Sequence, residues 1–101
     1  MSAYLIVQLT IEDQAAYDRY QAGFPAVFAL ANAELLSIDD DPVVVDGEFN
    51  ASRSVLLKFS SIEDATTWME LPEYKAIAAD REAAGPSNAI LVRGFDPANF
   101  A

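Results

Sequence analysis

Histidine and cysteine are both missing from the 101 residues, and each absence closes off chemistry. Without an imidazole there is no Ser-His-Asp triad, no His-ligated haem and almost no route to a zinc centre. Without a thiol there are no disulfides, thiolate nucleophiles or thiolate metal sites, and nothing demands an oxidising compartment. Basic residues are also scarce. Six Lys and Arg stand against sixteen Asp and Glu, a formal charge of -10, so nucleic acid and anionic membrane surfaces would be repelled and are not expected as partners. The four glycines are scattered singly at 23, 47, 85 and 94, so neither glycine-rich phosphate motif is present and no nucleotide cofactor is indicated. The beginning Met1-Ser2-Ala3-Tyr4 has no basic region ahead of an apolar stretch, and no apolar run approaches the ~18 residues of a membrane span. A cytoplasmic protein with neither cofactor nor metal is the expectation.

What is present is the composition of a globular chain, 52% hydrophobic against 22% charged, with room for one domain over residues 1–101 that buries roughly two-thirds of its unfolded surface. Ala3 to Thr10 is rich in β-branched and large apolar residues and reads as a first strand. Asp13 can cap a helix in which Tyr17, Tyr20, Phe24, Val27, Phe28 and Ala31 recur at spacings of three and four. Pro25, loosened further by Gly23, predicts a kink or a break in that helix. Glu34 to Ile38 and Pro42 to Val45 read as an extended stretch divided by Asp39-Asp40-Asp41, with Asp46-Gly47 as a turn before a strand at Arg53 to Phe59. Ser60 and Glu63 form a capping-box pattern ahead of a helix with Ile62, Ala65, Trp68 and Met69 on one side. Pro72 opens its continuation, along which Tyr74, Ile77, Ala78 and Arg81 stack until Gly85-Pro86 closes it, and Ala89 to Phe95 is the last strand.

The order β-α-β-β-α-β predicts an α+β, ferredoxin-like sandwich, an antiparallel sheet with two helices on one face. Right-handed crossovers place both helices on the same side and leave the other side bare. Yet the strands are apolar on both sides: Leu5, Val7 and Leu9 alternate with Tyr4 and Ile6, and Ile90 and Val92 with Ala89 and Leu91. The chain has no spare element to cover the second face, so a second copy of itself is the expected cover. The competing arrangement is a monomer closed by its tail and the hairpin arm.

Tyr17-Asp18-Arg19-Tyr20 followed by Pro25, then Asp46-Gly47, Val55 to Phe59 with Ser60-Ser61, and Ala65, Trp68, Pro72-Glu73-Tyr74 and Arg81 resemble the bacterial family named domain of unknown function 1330. The resemblance runs from Tyr4 to Gly94 and is most specific from Phe59 to Arg81. That family is similar to the dimeric α/β-barrel superfamily, which implies two ferredoxin-like sheets facing one another and brings no established activity. Where such chains usually carry a Gly-Gly pair and an arginine after the first helix, this one has Asn32-Ala33-Glu34, so a basic group that would serve a site there is absent.

Trp68, Tyr74 and Arg81 share a helical segment, while Arg53 opens its strand in phase with Val55, Leu57 and Phe59. These four are expected to converge on a cleft between helix and sheet, with Tyr17 adding a hydroxyl. An arginine among aromatic rings recognises a small carboxylate or a polarised carbonyl by paired hydrogen bonds and stacking. The alternative is that Arg53 and Arg81 pair with the abundant carboxylates, the tyrosines pack and Trp68 fills the core. Lys58 lies on the side opposite Leu57 and Phe59, with nothing to lower its pKa. Three consecutive carboxylates at 39–41 lack the alternating spacing and glycine of a calcium loop and read as a solvated turn. The expected function is thus a homodimer binding a small organic molecule, with cofactor-independent catalysis on it as an extension of that role; the alternative is a non-catalytic dimerisation or regulatory module.

Overall fold

The computed structural model describes residues 1–99. Strand β1 (Ala3–Leu9) alternates as a half-buried strand must, with Ala3, Leu5, Val7 and Leu9 buried. Helix α1 (Gln14–Phe28) starts on Asp13, whose carboxylate accepts the Ala16 N–H at 3.2 Å. The kink or break expected at Pro25 does not divide this helix, which runs through to Phe28. Pro25 lies in the last turn, where its own carbonyl still accepts the Ala29 N–H at 3.0 Å. The rings on either side of it, Phe24 and Phe28, stack at 5.2 Å and hold the turn against the core. Gly23 has a different task from loosening. A Cβ there would stand 2.8 Å from Ile77 Cγ2, so glycine is what lets α1 approach the second helical layer.

Strand β2 (Ala33–Asp39) and strand β3 (Arg53–Phe59) pair antiparallel, with an irregularity between Leu35 and Ser37. The extended arm expected at Pro42 to Val45 joins no strand, because pairing stops at Asp39 opposite Ser54 and Asp40 turns aside to meet Arg53. Gly47 supplies the left-handed turn there, at φ 80°. Helix α2 (Ile62–Met69) is capped one residue later than the capping-box pattern suggests: the Ser61 hydroxyl oxygen accepts the Asp64 N–H at 3.0 Å, and the Ser60 hydroxyl donates to the Asp64 carboxylate. Pro72 begins a separate helix, α3 (Pro72–Ala84), so the second helical segment is in two pieces. Strand β4 (Ser87–Arg93) starts and stops two residues ahead of the stretch its composition marks. Its limits are set by β1, whose Leu9 pairs with Ser87 and whose Ala3 pairs with Arg93.

The strands lie in the order β2-β3-β1-β4, all neighbours antiparallel. That is the split βαβ arrangement of a ferredoxin-like fold. Leu5, Leu57 and Leu91 share a row on the helix side, where the core lies. On the other side Ile6, Leu56 and Ile90 share a row, next to Tyr4 and Val92, and no element of the described residues covers them.

Candidate functional site

The core does not close. Between α1, α3 and the helix side of the sheet lies a cavity of about 240 Å³, floored by Leu5, Val7, Val55 and Leu57 and walled by aromatic rings. Tyr17, Arg53, Trp68, Tyr74 and Arg81, the five residues singled out from the sequence, all line it. They arrive from four elements, α1, β3, α2 and α3, because the strand period turns Arg53 to the helix side, while spacings of three and four carry the aromatic stripes of the helices inward.

Arg53 closes one end of the cavity. Its Nε and Nη2 donate to the two carboxylate oxygens of Asp40 at 2.5 and 3.1 Å, and its Nη1 donates to the Tyr17 hydroxyl at 3.0 Å and to Gln21 Oε1 at 3.2 Å. The guanidinium also stands 5.2 Å from the centre of the Tyr17 ring. These hydrogen bonds hold the Asp40 carboxyl below its usual range. Arg53 therefore ties β3, α1 and the residue 40–52 connection together, as the ion-pair alternative expects.

Arg81 has no such match. Its Nη1 donates to the Tyr74 hydroxyl at 2.7 Å, its Nε is buried with no hydrogen-bond partner, and among the described residues no carboxylate lies within ion-pair distance. Tyr20 stands close by. Burial pushes its hydroxyl pKa above the ordinary tyrosine range, the neighbouring Tyr74 adds to the rise, and the charge and hydrogen bond of Arg81 offset part of it. Tyr20 is thus a neutral O–H at any physiological pH.

Trp68 belongs to the core and also borders the cavity. It is buried, donates Nε1–H to the Val27 carbonyl at 2.9 Å, and packs on Phe59 and Phe28, yet its ring also borders the cavity beside Tyr74 at 4.7 Å. Lys58 is on the far side of the sheet, opposite Tyr4 and Glu34. The Asp39 carboxylate accepts the Asp41 N–H at 2.9 Å while Asp40 meets Arg53, so the triplet does not converge. No group of three or more metal-ligating side chains gathers among the described residues. Sequence reasoning missed Gln21 and Asp40. Gln21 stands four residues after Tyr17 and was reachable from helical spacing; Asp40 carried no signal, because its partner is set by how an irregular connection folds back.

The topology and the cavity define a ferredoxin-like α+β domain. Residues 2–95 match the family described as a domain of unknown function, DUF1330, and the chain belongs to that family. Comparison with curated proteins gives no match. Among solved structures, the chain is similar to a protein of unknown function from Rhodopseudomonas palustris, at 14% identity and a TM-score of 0.78 over 95% of this chain and 84% of that one. A dimeric ferredoxin-like protein of unknown function from Bacteroides fragilis is 13% identical, with a TM-score of 0.63 over 92% and 96% of the two chains. A cofactor-independent oxygenase from Streptomyces nogalater is 12% identical, with a TM-score of 0.65 over 98% of each. At these identities the likeness is one of fold. No helix among the described residues is long and apolar enough to cross a membrane.

Proposed function

We propose that this protein is a homodimer that binds a small organic molecule, one bearing a carboxylate or carbonyl group, in the cavity under α1 and α3. The observation that carries the reading is the cavity itself: a core of this size normally packs to crystal-like density, yet about 240 Å³ is left open beside Arg53, Trp68, Tyr74 and Arg81. An apolar, aromatic-lined recess with a few convergent polar groups is what a small-molecule site requires. The dimer is supported by the uncovered row Ile6, Leu56 and Ile90 and by the dimeric Bacteroides fragilis neighbour.

A cofactor-independent reaction, as in the Streptomyces nogalater neighbour, would draw on Arg81 and the tyrosine hydroxyls as donors to developing negative charge. Among the described residues the cavity lining holds no carboxylate, and the nearby Asp40 is tied to Arg53. These groups favour holding an anion or carbonyl over removing a proton, so binding is the primary reading.

The test is a titration of a panel of small aromatic, keto and aliphatic acids, amides and ketones, read by Trp68 emission, since Trp68 is the only tryptophan. Saturable changes are expected in the parent and their loss in Val55→Phe, which fills the cavity floor. A panel in which no compound, charged or neutral, alters the emission would remove the binding reading.

A further inference from the structure

The two arginines of the cavity are not equivalent, and the difference identifies the ligand's chemical class. A guanidinium offers five N–H donors and no acceptor. At Arg53, Nε and both Nη nitrogens are engaged, by two oxygens of Asp40, the Tyr17 hydroxyl and Gln21. At Arg81 the hydrogen-bonding partners are neutral hydroxyls, of Tyr74 and Tyr20, and Nε is buried without a partner. The Arg81 side chain is half-buried, and a buried donor left so is costly unless something matches it.

The shortfall is not for want of acid. With sixteen Asp and Glu against six Lys and Arg, a structural arginine on this chain readily finds a carboxylate, and Arg19 and Arg53 do. Asp80 and Glu82 flank Arg81 directly, but successive helical residues point about 100° apart, and Asp80 faces away to pair with Arg19 at 3.0 Å. Arg81 instead shares the face of Tyr74, seven residues earlier, and lines the cavity.

Resting on the reading of the cavity as a binding site, we infer that its ligand is an organic monoanion with an aromatic body, whose carboxylate is taken by Arg81, while Arg53 is a structural tie that the ligand does not engage. A guanidinium suits a carboxylate through charge-assisted N–H···O bonds, and Arg81 lines the cavity with N–H donors beyond the one given to Tyr74. The Tyr20 hydroxyl, kept neutral by its surroundings, adds a donor beside it. The Trp68 and Tyr74 rings, 4.7 Å apart, and Phe24 line the same cavity and offer faces and edges to an aromatic ring. A dianion is disfavoured, because one free guanidinium in an apolar recess neutralises one charge.

The experiment compares phenylacetate and phenylpyruvate with the neutral phenylacetamide and 2-phenylethanol, by calorimetry and Trp68 emission. In the parent, the acids are expected to bind at least tenfold more tightly than the neutral compounds. Arg81→Gln should abolish that ratio while leaving 2-phenylethanol binding within about twofold, and Arg81→Met should leave the melting temperature unchanged or raise it. Arg53→Gln and Asp40→Asn should lower the melting temperature and leave the acid-to-neutral ratio unchanged. Should Arg81→Gln fail to fold, Arg81→Lys keeps the charge, loses the planar fork and is expected to cut the ratio. Tighter acid binding in Asp40→Asn would mean that Arg53 is the anion site and would overturn the assignment. Neutral probes binding as well as acids would overturn the anion while leaving the binding site standing; silence from every probe would overturn both.

Discussion

Tyr20 and Asp40 sit at opposite ends of the pH scale and should mark it in opposite directions. The folded protein raises the Tyr20 pKa above its ordinary 10.0, mainly by burial. Its contribution to stability is therefore fully present below pH 10 and is lost as pH climbs through the raised folded value. Asp40 is held below its ordinary 3.8 by the Arg53 hydrogen bonds, so its contribution is present above that value and fades as pH falls further. Melting curves across pH are expected to show a shallower alkaline decline in Tyr20→Phe and a shallower acid decline in Asp40→Asn, each limb otherwise as in the parent. Asp40 is well exposed, with 63% of its side chain accessible, so 1 M salt should weaken its acid limb. An acid limb identical in parent and Asp40→Asn would show that the tie contributes nothing in solution. At this scale the strand period made the side of Arg53 legible, since it depends only on neighbours in the chain. The missing partner of Arg81 was not legible, because a pairing is decided by where Asp80 and Glu82 end up pointing.

At the scale of elements, α1 and α3 meet through Gly23 and Ile77. Alanine usually improves a helix over glycine by about 1 kcal/mol. Here its Cβ would stand 2.8 Å from Ile77 Cγ2, a branched side chain with little freedom to yield. Gly23→Ala is expected to destabilise by about 1–2 kcal/mol through overpacking, measured by urea unfolding. In an Ile77→Ala background the same change should turn stabilising by about 1 kcal/mol. Equal effects in both backgrounds would mean that the helices adjust and that the close approach is not tight. Gly85 is more constrained, since a Cβ at its φ of 151° would fall 2.1 Å from the Thr10 carbonyl oxygen, where the end of α3 folds back on β1. Sequence periodicity located the helices but read Gly23 as a loosening device and Pro25 as a kink or a break. The reason is that intrinsic cost is local, whereas the packing of Phe24 and Phe28 that overrides it is not.

For the whole molecule, the decisive feature is the sheet face opposite the helices. Ile90 is 59% accessible there, in register with Ile6, which in turn faces Leu56. Apolar area of this kind gains about 25 cal/mol for each Å² removed from water. Light scattering coupled to size exclusion is expected to give twice the 11.0 kDa chain mass, and Ile90→Glu to halve it without loss of secondary structure, since the side chain is already exposed within one subunit. A parent that stays at the single-chain mass at high concentration would remove the dimer.

Element order, the two-sided apolar strands and the exclusion of thiol and imidazole chemistry follow from the sequence alone, because they rest on residue identity and short-range periodicity. From these the sheet, the helices on one face and the five cavity residues could be placed in advance. Only the tertiary structure decided that the core stays open around them, that Asp40 folds back to occupy Arg53, and that Arg81 is left with a buried, unmatched nitrogen. Those outcomes depend on contacts between residues apart in the chain, such as Arg53 with Asp40 and Trp68 with Val27, for which local pattern carries no information.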